Sequence, residues 1–199
     1  MKDSEIEESM LRRSRDLALS TGHFLRTIDA LRLQGQQDVE TIWNAACHVN
    51  VIDLDITAFL YFHTTIEDVL VQRTVTRALA TLIYEAIEDL PALFGKPFKH
   101  ACEIAGVYQE VESEYKTSKK KLGEFSSQHH SFLKNIRVNA GAHRDHDVVK
   151  FIEAVVQADP GKMINLASEF MAILLDLGRF SSTVMDKVNE AYRQKGVIP

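Results

Sequence analysis

Only four prolines and nine glycines interrupt this chain of 199 residues, and they cluster instead of recurring every eight to twelve positions. Such sparse punctuation favours long helices over a sheet of many short strands, each of which would need a turn. With 45% hydrophobic residues the chain can bury roughly 70% of its unfolded surface around one core. The expected architecture is all-α: an up-and-down antiparallel bundle of six or seven helices, four or five of them long, with additional short helices. Residues 1–199 form one helical domain in this reading, with the first few residues and 187–199 peripheral to it.

The apolar spacing places the elements. A first helix begins near Ser4, runs through Leu11, Leu17, Phe24, Ile28 and Leu31, and ends at Gly35. Asp38 can cap a second that carries Ile42, Trp43, Ala46, Val49, Ile56 and Phe59 toward a turn at residues 63–65. A third runs from about Ile66 to Pro91. The second and third are apolar on more than one side and therefore belong at the centre of the bundle or against a partner. After the Gly95–Phe98 connection a shorter helix is expected over about 99–111. A further helix starts at Lys119–Lys121 and carries one stripe at 125, 129, 132, 136, 140 and 143. Asp145 or Asp147 caps the next, and Asp159-Pro160-Gly161 turns the chain into a last helix from Pro160.

A formal charge of -5 gives no overall attraction for a polyanion, so any nucleic-acid contact has to be local. Cys47 and Cys102 are too few for a disulfide framework, which suits a reducing cytoplasm. The first sixteen residues mix acids and bases where a secretory signal needs an apolar run. The longest apolar patches, Phe59–Phe62 and Phe170–Leu175, fall short of a bilayer span, and no membrane association is expected.

Polar chemistry concentrates in FLKNIRVNAGAHRDHD, residues 132–147. A histidine exchanges protons near neutral pH, and an arginine holds phosphate or developing negative charge without deprotonating. Arg137 and His143 together therefore suit metal-independent cleavage of RNA, in which the sugar's 2′-hydroxyl attacks the adjacent phosphate. On an ideal helix six residues set the two side chains about 120° apart. A distortion at Gly141, a helix-ending turn at His143, or a symmetric dimer would each bring such groups together. A packing role is the competing account: His143 continues the Ile136 and Ala140 stripe, Arg137 can pair with an acid such as Glu153, and Asp145 can be an N-cap.

The segment IRVNAGAHRD resembles the late-helix motif of HEPN domains, an arginine and a histidine separated by four to six residues. Catalytic members of that superfamily act as homodimers with two such motifs in a shared cleft. They are metal-independent endoribonucleases, often toxins or antiviral defence factors. The resemblance implies that Arg137 stabilises the scissile phosphate and that His143 assists proton transfer or leaving-group departure. It also implies substrate contacts for Asn139 and Arg144, and a capping or orienting role for Asp145. Where many active relatives carry a polar residue immediately after the arginine, this chain has Val138. The alternatives are a noncatalytic HEPN-like module that binds RNA, a nucleotide or a protein, and a purely structural or regulatory helical dimer. RNA, a second copy of the chain and a cognate antitoxin or regulatory protein are the expected partners.

Other polar groups carry less. His143 and His146 have metal-ligand spacing beside Asp145 and Asp147, but two histidines without convergent ligands are weak evidence, and no metal or cofactor is expected. His129 and His130 point about 100° apart. Glu85, Glu88 and Asp89 lack the paired Glu-x-x-His motifs of a diiron bundle and are read as surface acids. Lys119–Lys121 can steer RNA, although a charge run more often solvates a helix start.

Overall fold

A helix as apolar as the second one has to be enclosed, and the fold is organised around that requirement. The computed structural model describes residues 3–141 and 148–194. Among these residues there are seven α-helices, one π-helical turn and no strand: α1 (Asp3–Leu33), α2 (Gln37–Thr65), α3 (Val69–Leu93), α4 (Lys96–Ala105), α5 (Tyr108–Ile136), the π-turn (Arg137–Gly141), α6 (Val148–Gln157) and α7 (Pro160–Gln194). The all-α bundle expected from the breaker pattern is the observed architecture.

Helix α2 is the hub, packed against α1, α3, α4 and α7. By length and composition alone it would cross a bilayer, a property that the short runs of its sequence conceal. In the bundle Val39, Ile42, Trp43, Ala46, Val49, Ile56 and Leu60 are all buried. Its one buried acid, Asp53, accepts two hydrogen bonds from Arg13 of α1, from Nε at 3.2 Å and Nη2 at 2.6 Å. Asp53 is thus a charged clamp between α1 and α2, in a seam that Asn50 and Ser20 also bridge. On the far side α3, α5 and α7 close the core through Leu79, Ile83, Ile87, Leu133, Ile136, Phe170 and Leu174.

Local chemistry explains where elements begin and end. Asp68 caps α3 by accepting from the backbone N–H groups of Leu70 and Val71, so the helix starts three residues later than its apolar pattern suggests. Pro91 sits inside the last turn of α3 instead of stopping it. The proline forfeits one backbone hydrogen bond, and burial of Leu90 and Phe94 around it holds the turn in place. Gly95 joins α3 to α4 at a position where an added Cβ would lie 2.8 Å from the Ala92 carbonyl oxygen, so only glycine fits. Tyr115 donates to the Phe94 carbonyl at 2.8 Å, and Phe94, Phe98, Tyr115 and Phe180 close this end of the bundle with ring separations from 4.9 to 6.3 Å.

Helix α5 begins at Tyr108, eleven residues before the lysine run at which a start was expected. Its inward stripe of Val111, Tyr115, Ser118, Leu122 and Phe125 is regular, but two of its five members are polar. The lysines therefore occupy the middle of a helix, not its first turn. Helix α7 continues to Gln194, with Val184 and Val188 still in the core.

Removing Arg13 while leaving Asp53 strands a carboxylate in the α1–α2 seam. We expect Arg13→Met to lower unfolding free energy by about 2–3 kcal/mol, below the range for a fully buried pair because Arg13 keeps partial access to water. The double variant Arg13→Met, Asp53→Leu should regain most of that loss in urea unfolding. Equal stability of the single variant and the parent would contradict the clamp.

Candidate functional site

The π-turn interrupts α5 at its C-terminal end and packs between α3 and α6. Hydrogen bonds in such a turn span five residues, so the 100° step of an α-helix does not hold from Arg137 to Gly141. The 120° separation calculated for Arg137 and His143 on an ideal helix therefore does not apply here. His143, Arg144 and Asp145 lie outside the described residues, as do His146 and Asp147.

Arg137 is the first residue of the turn. Its Nε donates to Glu85 Oε1 of α3 at 2.6 Å, and its guanidinium carbon lies 5.4 Å from the centre of the Tyr84 ring. Pairing with Glu153 or another acid was expected, and the acid is Glu85 of α3. The Arg137 side chain is 32% exposed, and the pair is open enough to solvent to contribute at most about 1 kcal/mol. Its effect is geometric: Glu85 fixes one of the five guanidinium N–H donors, and the buried Tyr84 ring supports the plane.

Asn139 is turned back along the helix, donating from Nδ2 to Asn135 Oδ1 at 2.6 Å. Val138 is exposed beside it. Thus, of the residues singled out in the motif, Arg137 faces the α3 carboxylate and Asn139 is engaged within its own helix.

Of the adjacent pair His129 and His130, discounted in the sequence as a shared ligand site, one is a neighbour of Arg137. His130 lies on the same side of α5, its ring centre 5.4 Å from that of Tyr84 and its Nε2 3.3 Å from Glu88 Oε1. His129, adjacent in sequence, points elsewhere: its ring packs 4.6 Å from Phe125, and Nε2 lies 3.3 Å from Glu169 Oε2 of α7 without hydrogen-bond alignment. The 100° between consecutive residues, which argues against a shared ligand, is what separates an inward histidine from an outward one. Glu85 and Glu88, read as surface acids, are half-exposed but face the two bases of α5. The signal was the seven-residue interval from His130 to Arg137, two turns of one helix.

Beside the π-turn, α6 shows an unusual polarity. Phe151 and Ala154 face the bundle, with Phe151 under the Arg77 guanidinium, whereas Val148, Val149, Ile152 and Val156 face outward. Ile152 alone is 54% exposed, and the four branched side chains form one stripe. Arg73 of α3 reaches the Val155 carbonyl at 3.4 Å and ties this helix to α3.

Among the described residues no group of three or more His, Cys, Asp or Glu side chains is arranged to hold a metal ion. The two cysteines are buried thiols. Burial raises the pKa of Cys47, and burial followed by the nearby Glu103 carboxylate pushes Cys102 up to about 12. Neither has the thiolate character of a nucleophile. A separate open cleft of about 770 Å³ lies between α1 and α7 over α2, lined by Arg12, Asp16, Ser20, Asn50, Arg179 and Ser182 among others. None of the Arg137 neighbours lines it. Comparison with protein-family models, curated proteins and solved structures returned no match.

At pH 8 the folded protein is expected to resist a maleimide or disulfide reagent over minutes, and to release two thiol equivalents on unfolding in guanidinium. Rapid reaction of the native protein would contradict the burial of Cys47 and Cys102.

Proposed function

We propose that this protein is a metal-independent endoribonuclease that works as a homodimer, with Arg137 and His143 as its catalytic pair. In this reading the 2′-hydroxyl of the substrate ribose gives its proton to water and its oxygen attacks the adjacent phosphorus. A 2′-O–P bond forms as the P–O5′ bond breaks, leaving a 2′,3′-cyclic phosphate and a 5′-hydroxyl. Arg137 neutralises the charge that builds on the phosphoryl oxygens, and protonated His143 donates to the departing 5′-oxygen. Arg144 contacts the flanking phosphate and Asp145 orients the turn. Asn139 would have to leave Asn135 to reach substrate.

The observation that carries the reading is the posture of Arg137: a partly exposed guanidinium, braced by Glu85 and Tyr84 on a π-turn, at the start of the arginine–histidine segment. Such turns interrupt helices frequently at functional sites. The homodimer is supported by the outward stripe of α6 beside that turn, where Val148, Ile152 and Val156 expose aliphatic side chains along one helix face that a second copy would cover. Two-fold pairing through that stripe would bring the Arg137 of both copies toward one cleft. A toxin or defence role, held in check by a cognate antitoxin or regulatory protein, would fit such an enzyme. The noncatalytic alternative, a module that binds RNA or a partner without cutting, is favoured by the exposed Val138 and by the Glu85 carboxylate already paired with Arg137.

Cleavage of mixed single-stranded and structured RNAs in EDTA decides between them. The parent should cut, and Arg137→Ala and His143→Ala, with fold and assembly retained, should each lose roughly 100-fold or more. Absence of cleavage by the correctly assembled parent moves the assignment to the noncatalytic module.

Ile152→Asp tests the pairing face. It should convert a dimer to a monomer in sedimentation velocity and abolish cleavage without lowering the melting temperature by more than a few degrees. A variant that remains dimeric would place the interface elsewhere.

A further inference from the structure

We propose that His130 is a second substrate contact: a phosphate-binding position on a track along α5 that receives a single RNA strand and leads it to Arg137. The proposal rests on the RNA-cleaving reading and adds to it the form of the substrate and the direction in which it lies.

Three observations combine. His130 and Arg137 are seven residues apart, so they fall within about 20° of each other around α5 and about 10.5 Å apart along it. Both lie against the same Tyr84 ring at 5.4 Å, and each faces its own carboxylate of α3, Glu88 and Glu85 respectively. The two positions are thus built alike: a base on α5, an acid on α3 and a shared aromatic floor. Their exposures are also alike, 35% for the His130 side chain and 32% for Arg137, whereas His129 next door is 16% exposed and packed against α7.

The same face continues toward the start of α5. Stepping back from His130 by four, three, four and three residues gives Ser126, Gly123, Lys119 and Lys116, all solvent-accessible. A Cβ built on Gly123 meets nothing within 4 Å, so the middle of the face is low and open. From Lys116 to Arg137 the track is about 31 Å long. At its far end Lys116 pairs with Glu112 at 2.9 Å along the helix and Lys119 donates to the Tyr115 hydroxyl at 3.4 Å; the small residues Gly123 and Ser126 lie between these lysines and His130, a path that a flexible phosphodiester strand can follow. Lys121 of the lysine run does not belong to the track, because it faces α7 and pairs with Asp176 at 2.5 Å.

The His130 imidazole can hydrogen-bond a phosphate oxygen. Facing it from α3 are the Tyr84 ring and the Glu88 carboxylate. Glu88 competes with substrate for the imidazole, as Glu85 does for Arg137. Strand binding at this position should therefore strengthen when Glu88 is replaced by a neutral residue.

The test is fluorescence anisotropy with a 12-nucleotide single-stranded RNA carrying 2′-O-methyl groups, which cannot be cleaved, in EDTA. His130→Ala should weaken binding several-fold, and Glu88→Gln should tighten it. Lys119→Ala should weaken binding and lower the salt dependence by about 0.7 in slope, the contribution of one single-strand phosphate contact. Circular dichroism and sedimentation confirm that fold and assembly are retained. If His130→Ala binds like the parent, His130 is not a substrate contact, even where Arg137→Ala still abolishes cleavage and the enzyme reading stands. Preference for a duplex of the same sequence, or no binding of the single strand by the parent, also overturns the track. Loss of cleavage in the parent is what overturns the enzyme.

Discussion

Enclosure of α2 is the constraint on which the rest of the structure depends. A 29-residue helix with apolar residues on several sides has to be covered over most of them, and α1, α3, α4 and α7 are the layer that does so, leaving Val51 and Phe62 exposed. Burying it forces a solution for Asp53, which Arg13 provides from α1. Because α2 occupies the centre, α3 and α5 meet along an outer edge where each keeps a polar strip. On that edge Glu85 and Glu88 face Arg137 and His130. The candidate site is thus a boundary feature, located where the core helices end their apolar contact.

The break in α5 gives that boundary its chemistry. A helix that continued regularly past Ile136 would present Val138 and Asn139 in the α-helical phase already set by its buried stripe. The π-turn resets the phase, and Arg137 is the residue at which the change occurs. Support comes from a side chain on another helix, Tyr84, and from a carboxylate next to it in sequence. Such bracing keeps a long, flexible side chain in one place, which matters more to phosphate recognition than the small stabilisation of the ion pair.

Much of the fold was legible because helix periodicity and breakers act locally. Gly35, the turn at Asp159–Gly161 and the stripes of α2, α3 and α7 could be read residue by residue. The start of α5 was hidden because Tyr115 and Ser118 are buried but polar, so the stripe looked interrupted where the packing is continuous. Asp68 as the cap of α3, and the survival of the helix through Pro91, depend on side-chain geometry and on tertiary packing. At the site, Arg137 was evident from its motif. Glu85, Glu88, Tyr84 and His130 were not assembled around it, since the partners of α5 lie about fifty residues earlier on α3 and no local pattern links them. The π-turn was equally hidden, because hydrogen-bond register is not encoded in apolar spacing.

The chemistry assigned to Arg137 and His143 is tested most directly at the ends of the RNA fragments. A defined single-stranded RNA is incubated with the parent protein in EDTA, and the termini are identified by mass spectrometry. Attack by the internal 2′-oxygen predicts a 2′,3′-cyclic phosphate on one fragment and a 5′-hydroxyl on the other. Fragments with a 3′-hydroxyl and a 5′-phosphate, or intact RNA after prolonged incubation with the assembled protein, would contradict the account.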